Sequence, residues 1–248
     1  MERDITIQIN DLHKSYGKKE VIKGISLEVY SGELFGFIGK NGVGKSTTIE
    51  SMLGIKAFNS GDISIMGYSI KKKPNQAKSL VGYVSSEPIC YEDMTGFQFV
   101  EFMASIYKVD EETYINNLNY LKKRLELSDY DLNRQIKEYS HGMKQKLCLI
   151  TSLIHNPSIW VLDEPTVGLD AFTSNELALM MKEYTKSGKT CFITSHNIEL
   201  VAKICDRVAI IKDGLIYGTY DLIKVPKYRY QLQDIFFEAY KDGKNNLS

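Results

Sequence analysis

Leu34-Phe35-Gly36-Phe37-Ile38-Gly39-Lys40-Asn41-Gly42-Val43-Gly44-Lys45-Ser46 is the stretch on which the reading of this chain turns. Its first five residues form a continuous apolar run closed by glycine, the pattern of a fully buried strand. The next eight match G-x-x-x-x-G-K-[ST]. A short helix is predicted over residues 46–53, so the pattern sits between a strand and a helix, where it has physical meaning. Glycines let the backbone wrap closely, and successive N–H groups turn inward as an anion nest. The helix adds the positive end of its dipole. The loop is expected to cradle phosphates with Gly39, Lys40, Asn41, Gly42, Val43, Gly44, Lys45, Ser46 and Thr47. Lys45 is placed to reach β- and γ-phosphates, and the Ser46 hydroxyl to ligate Mg2+.

A second apolar run, Ile159-Trp160-Val161-Leu162, ends in Asp163-Glu164. A strand ending in two carboxylates delivers them to the carboxyl edge of a sheet, where ligands bind in open α/β folds. Asp163 is expected to hold Mg2+, and Glu164 to act as general base on an attacking water. These motifs point to a P-loop nucleotidase without separating a kinase, a GTPase, a helicase and a transport ATPase.

The rest of the chain supplies the frame. Ile5, Ile7 and Ile9 alternate with polar residues, as do Ile25, Leu27 and Val29, giving two half-buried strands. Strands are also predicted over 63–66, 81–84, 190–194 and 208–211, with a hairpin turn at Asp213-Gly214. The middle is helical: one helix capped by Thr95, one carrying Tyr114 to Leu125, and one beginning near His141. Thr173-Ser174-Asn175-Glu176 has capping-box spacing and is expected to open a further helix stopping near Gly188. Asn197 to Cys205 reads as a helix, and Leu232 to Ala239 carries an apolar helical stripe. The expected class is α/β, a P-loop NTPase core with a β-rich N-terminal subdomain and an inserted α-helical subdomain.

Composition narrows the function classes. The 248 residues include 31 basic and 31 acidic side chains, so the net charge is zero. Nucleic acid is not an expected partner, because no basic excess offers it a footprint. Apolar content of 43% is ordinary for a globular chain and excludes disorder as the main state. The longest charge-free stretch, residues 147–162, is broken by Asn156-Pro157-Ser158 and is too short to span a bilayer. Met1-Glu2-Arg3-Asp4 opens with charges rather than a secretory signal, which predicts a cytoplasmic chain. Cys90, Cys148, Cys191 and Cys205 lack metal-site spacing and read as scattered, reduced, packed thiols. Lys71-Lys72-Lys73 reads as a solvated loop.

Further residues select a branch. Tyr139-Ser140-His141-Gly142-Met143-Lys144-Gln145 resembles the LSGGQ signature of ATP-binding cassette (ABC) proteins. Residues 163–170 resemble that family's Walker B and D-loop, ending at Asp170. Thr194-Ser195-His196 resembles its switch-histidine segment, and Tyr16 the aromatic that stacks on adenine. The motifs come in family order and cover essentially the whole chain. The signature form and the C-terminal stripe are similar to those of ABC-2-type exporters.

The resemblance implies a nucleotide-binding domain over 1–248. Its core would combine a β subdomain of about 1–85 and 156–225, a helical subdomain of about 86–155 and a closing helix of about 228–242, with a polar tail beyond. It implies Mg2+-dependent hydrolysis of ATP by Glu164 with His196, in a homodimer or heterodimer. ATP would lie between one P-loop and the other chain's Ser140, His141, Gly142 and Met143. It also implies a separate transmembrane permease, with this chain peripheral on the cytoplasmic face of the cell membrane. A coupling helix of the permease would enter a groove to which one or two of Phe97, Phe99, Phe102, Met103 and Tyr107 contribute, the others packing the subdomain core. Drug or antimicrobial-peptide export is the expected task. A non-transport ABC ATPase acting on ribosomes or DNA is the alternative.

Two departures stand out. His141 and Met143 replace the usual glycine and glutamine of the signature. Gly82-Tyr83-Val84-Ser85-Ser86-Glu87-Pro88 aligns with the Q-loop, yet Ser86 stands where glutamine normally reaches Mg2+. Glu87 or an extra water is the candidate substitute.

Overall fold

The computed structural model describes residues 4–241. The polar tail expected after Asp242 lies outside the described residues. The chain forms two units, one drawn from Met1–Lys78 and Tyr184–Ser248, the other from Ser79–Glu183.

The first unit begins with β1 (Ile5–Tyr16) and β2 (Lys19–Tyr30). Ile7 and Ile9 of β1 and Ile25, Leu27 and Val29 of β2 are buried, as the alternation predicts, whereas Ile5, the first residue of β1, is exposed; Leu12 and Ile22 are buried as well. The strands pair antiparallel, with Ile9 opposite Leu27. β3 (Leu34–Ile38) is buried at all five positions. Each large side chain removed from water there contributes about 2 kcal/mol. α1 (Lys45–Met52) follows the glycine-rich loop. β4 (Ser60–Ile65) pairs with β1, and the two-residue β5 (Tyr68–Ser69) pairs with β4. α2 (Pro74–Ser79) was not predicted, although proline at its first position is a start signal. Lys71 is more than a solvated charge: it donates to the Gly61 carbonyl and lies 4.4 Å from the centre of the Phe58 ring.

The second unit opens on β6 (Val81–Val84). α3 (Gly96–Ile106) carries a full capping box between Thr95 and Gln98. α4 (Glu111–Arg124) is capped by Asp110, with acids in its first turn and bases in its last, matching its dipole. α5 (Asp129–Asn133), also not predicted, has a capping box of Ser128 and Asp131. A 3-10 turn (Ile136–Glu138) leads into α6 (His141–Leu153). β7 (Ile159–Asp163) runs parallel to β6, with Val84 opposite Leu162.

α7 (Ala171–Lys186) starts earlier than predicted. Its cap is Asp170, whose carboxylate accepts from the Thr173 amide and hydroxyl, both at 2.8 Å. The expected box at Thr173 does not form. Thr173 is buried in the first turn, and Glu176 turns to Arg124, which also holds Glu183 at 2.7 Å.

The first unit resumes with β8 (Thr190–Ser195), α8 (Ile198–Ile204), β9 (Arg207–Lys212), β10 (Leu215–Asp221) and α9 (Lys227–Lys241). Its strands form one antiparallel sheet, β2-β1-β4-β5, and a second array ordered β10-β9-β3-β8. In the second array β3 is parallel to both neighbours. Asp213 and Gly214 both take positive φ, 50° and 81°, the geometry of a tight hairpin between β9 and β10. The start of β3 is pinned from two sides. The Leu34 amide donates to Asp206, and fully buried Glu33 meets Arg207 at 3.1 Å. Burial pushes the Glu33 carboxyl upward, against the pull of the Tyr30 amide and Arg207.

The thiols are free but not scattered. The Cys90 and Cys148 sulfurs lie 3.6 Å apart in the second unit, a neighbourhood that residue spacing does not reveal. Cys191 and Cys205 are buried, which pushes both thiols up.

Candidate functional site

The phosphate loop springs from the buried end of β3. A side chain on Gly39 would lie 2.7 Å from the Ile211 carbonyl oxygen, so only glycine fits. Gly42 and Gly44 take φ of 76° and 116°, values open to glycine and strained for other residues. A Cβ on Gly44 would also meet Ile22 at 2.5 Å. Between them, the Val43 amide turns back to the Lys40 carbonyl at 3.4 Å. Gly44 caps α1, and its carbonyl accepts from both the amide and the hydroxyl of Thr48 at 2.8 Å. Helix geometry sends the first-turn amides of Ser46 and Thr47 out of the helix end. Ser46 is exposed and Thr47 half-buried. The Lys45 ammonium is buried and donates to the carbonyls of Gly39 at 2.8 Å and Lys40 at 3.4 Å. Asn41 and Lys40 are exposed at the rim.

Strand register brings His196 to the same edge. Ile38 of β3 lies opposite Ser195 of β8, so Gly39 and His196 leave adjacent strands at the same level. The turn after β8 is fixed by the Ser195 hydroxyl, which accepts from the Asn197 amide at 3.0 Å. Asn197 then caps α8. Tyr16, at the end of β1, exposes its ring, with the Lys14 ammonium 4.7 Å from the ring centre.

In the second unit, β7 ends in the fully buried Asp163. Glu164 follows with φ of 50°, a left-handed backbone that costs a non-glycine residue about 1–2 kcal/mol. Such strain clusters at functional sites, where it aims one side chain. Ser86 and Glu87 leave β6 at the matching edge, Ser86 half-buried and Glu87 exposed. The Ser85 hydroxyl donates to the Glu87 carbonyl at 2.5 Å.

Ser140 is exposed and caps α6, accepting from the Met143 amide at 3.2 Å. His141 is exposed and Met143 half-buried in the first turn. A Cβ on Gly142 would lie 2.7 Å from the Gly168 carbonyl, and one on Gly168 would lie 2.2 Å from the His141 ring. The signature turn and the 164–170 turn are therefore packed backbone to backbone. Gln145, the last residue of the signature stretch, carries a packing role that its sequence does not announce. It is fully buried and donates to the Pro165 carbonyl at 3.3 Å, tying α6 to the turn after Glu164. Burial pushes Tyr139 up to about 12, and its hydroxyl donates to the Asp131 carbonyl at 2.6 Å.

Among the described residues no cluster of three His, Cys, Asp or Glu side chains forms a metal site, and no helix is long and apolar enough to cross a membrane. The Ser46 hydroxyl and the Asp163 carboxylate are hard oxygen donors of the type Mg2+ takes with nucleotide phosphates, so this donor chemistry fits that ion.

A phosphate loop at the carboxyl end of a parallel strand, with an acidic pair ending another, marks a P-loop ATPase. The chain belongs to the ABC transporter family, which residues 22–167 match. It is 34% identical to the linearmycin resistance ATP-binding protein LnrL of Bacillus subtilis (strain 168), over 84% of this chain and 67% of that protein. The structure of an ATP-binding subunit of an ABC transporter superposes with a TM-score of 0.89 at 27% identity, covering 95% of this chain and all of the other. An ATP-binding cassette solved as a dimer with ADP and phosphate shares the fold, with a TM-score of 0.79 at 22% identity over 87% of this chain and 98% of the other.

Proposed function

We propose that residues 1–248 are one nucleotide-binding domain that works in head-to-tail pairs and drives a separate membrane permease. The observation that carries this reading is the exposed, Ser140-capped N-terminus of α6. One chain thus offers phosphates two kinds of helix end, α1 behind the glycine loop and α6 behind Ser140. In a pair, the α6 end of one chain would face the γ-phosphate held by the other, and a two-fold pair carries two equivalent sites. The dimeric cassette that shares this fold supports that arrangement.

In the proposed site, Tyr16 stacks on adenine and the 39–47 loop wraps the phosphates. Lys45 exchanges the Gly39 and Lys40 carbonyls for β- and γ-phosphate oxygens. Ser46 and Asp163 would hold Mg2+, which would supply charge neutralisation for the hydrolysis. Glu164 takes the proton of the attacking water, and His196 holds that water and the γ-phosphate in line. Asp170 sets the D-loop by capping α7. Ser86 is too short for direct reach to the metal and works through a water, or yields to Glu87. Ser86→Gln is therefore expected to raise kcat about 3- to 10-fold and to change its Mg2+ dependence, one well-aimed polar group being worth that much. Steady-state phosphate release across a Mg2+ titration checks this, and unchanged kcat and Mg2+ response would sink it.

The permease would dock in the second unit. Ile89, Tyr91, Phe102 and Ile106 are all exposed there, and the Tyr91 ring packs edge-on against Phe102 at 5.6 Å. Phe97, Met103 and Tyr107 are half-buried and Phe99 is buried, as helix-core residues are. An apolar face of this kind accepts a helix. A permease docked there would hold the chain at the cytoplasmic face of the membrane, and kinship with a linearmycin resistance protein favours drug or antimicrobial-peptide export. Phe102→Asp is expected to lose at least about 10-fold in recovery with permease-containing membranes while keeping its own ATPase activity within about twofold. Undiminished recovery would contradict the docking site.

A further inference from the structure

We infer that Tyr240, near the end of α9, is a positioning residue for the phosphate loop. The inference rests on the ATPase reading and assigns the C-terminal helix a part in it.

The phenol group joins three segments of the first unit. Its hydroxyl donates to the Ile211 carbonyl at the end of β9, at 2.5 Å. The same oxygen accepts the Lys40 amide at 3.0 Å. A phenol has one proton to give and lone pairs to receive, so one atom serves both bonds. The ring takes a third contact: the Lys40 ammonium lies 4.4 Å from its centre. Lys40 is therefore held at its backbone nitrogen and at its side chain by one residue 200 positions away. Its remaining backbone atom, the carbonyl oxygen, accepts from the Lys45 ammonium, which also donates to Gly39. Hydrogen bonds thus run without a gap from Ile211 through Tyr240 and Lys40 to Lys45.

Ile211 closes the arrangement. The carbonyl that receives the Tyr240 proton is the one a side chain on Gly39 would strike at 2.7 Å. Ile211 thereby presses on the first glycine of the loop while Tyr240 grips the next residue. Phe236, one turn back, packs against the Tyr240 ring at 5.0 Å, and buried Leu232 and Ala239 seat the helix.

Three glycines in six residues give this loop wide freedom, and each conformation it samples without nucleotide reduces affinity for phosphate. A fixed Lys40 removes much of that freedom before nucleotide arrives, and preorganisation of this kind raises affinity by lowering the ordering cost. Tyr240 touches no phosphate in this scheme. It acts through Lys40 and Lys45, so its removal should weaken nucleotide binding and leave the chemical step alone.

Tyr240→Phe keeps the ring, its contact with Lys40 and its packing on Phe236, and deletes both hydrogen bonds. The expected result in the full chain is a Kd for ATP and for ADP raised about 3- to 10-fold by calorimetry. KM should rise in parallel, with kcat at saturating ATP within about twofold of wild type. Tyr240→Ala, which also loses the ring, should weaken binding further; if it does not fold, the phenylalanine variant carries the test. An unchanged Kd in Tyr240→Phe would overturn the inference, even alongside a lowered Tm, because Tyr240 would then only dock the helix. A fall in kcat at unchanged KM would overturn it as well. Failure of the wild-type chain to bind ATP would instead strike the ATPase reading itself.

Discussion

Glu164→Gln is expected to bind ATP as tightly as the wild-type chain and to hydrolyse it about 10²- to 10⁴-fold more slowly. The amide has the size and shape of the carboxylate and still hydrogen-bonds a water. It cannot accept that water's proton. The left-handed backbone at 164, with φ of 50°, burdens Gln and Glu alike, and the Val167 amide still meets the 164 carbonyl at 3.2 Å. The fold and the ATP affinity should therefore survive while turnover collapses. Phosphate release at saturating ATP, set beside calorimetric Kd values, checks both halves. A loss of less than tenfold would remove Glu164 from the role of general base.

Lys45→Ala is expected to weaken ATP binding at least about 100-fold, since two charge-assisted hydrogen bonds of about 1.5–3 kcal/mol each are lost together. The buried ammonium also joins the carbonyls of Gly39 and Lys40 without nucleotide, so the variant loses the brace of the loop as well as its charge. Calorimetric titration measures this. An affinity within threefold of wild type would refute the role given to Lys45.

The β3–loop–α1 segment was legible because every local signal there agrees: an apolar run, glycines where φ turns positive, then a helix-forming stretch. Glu164 and Asp163 were legible as the end of a buried strand. Other features depend on pairings that the order of residues does not state. His196 lies beside Gly39 only because β3 and β8 are parallel and in register across more than 150 residues. The start of α7 was misplaced because Asp170 and Thr173 are both good caps; the Asp170 carboxylate takes the Thr173 amide and hydroxyl, which puts Thr173 inside the first turn. α5 was missed although Ser128 and Asp131 carry the capping-box spacing, since five residues are too few to show a helical period. Gln145 and Tyr240 could not be found from the sequence. One is a buried amide aimed at a carbonyl, the other a phenol on a distant helix, and neither leaves a local pattern.

The central claim is that two chains close around ATP. The mass of Glu164→Gln in solution with saturating ATP, by light scattering, tests it most directly. The monomer is 28.3 kDa. The account predicts a particle of twice that mass with ATP, returning to the monomer when ATP is removed. A 28.3 kDa particle under saturating ATP would contradict it.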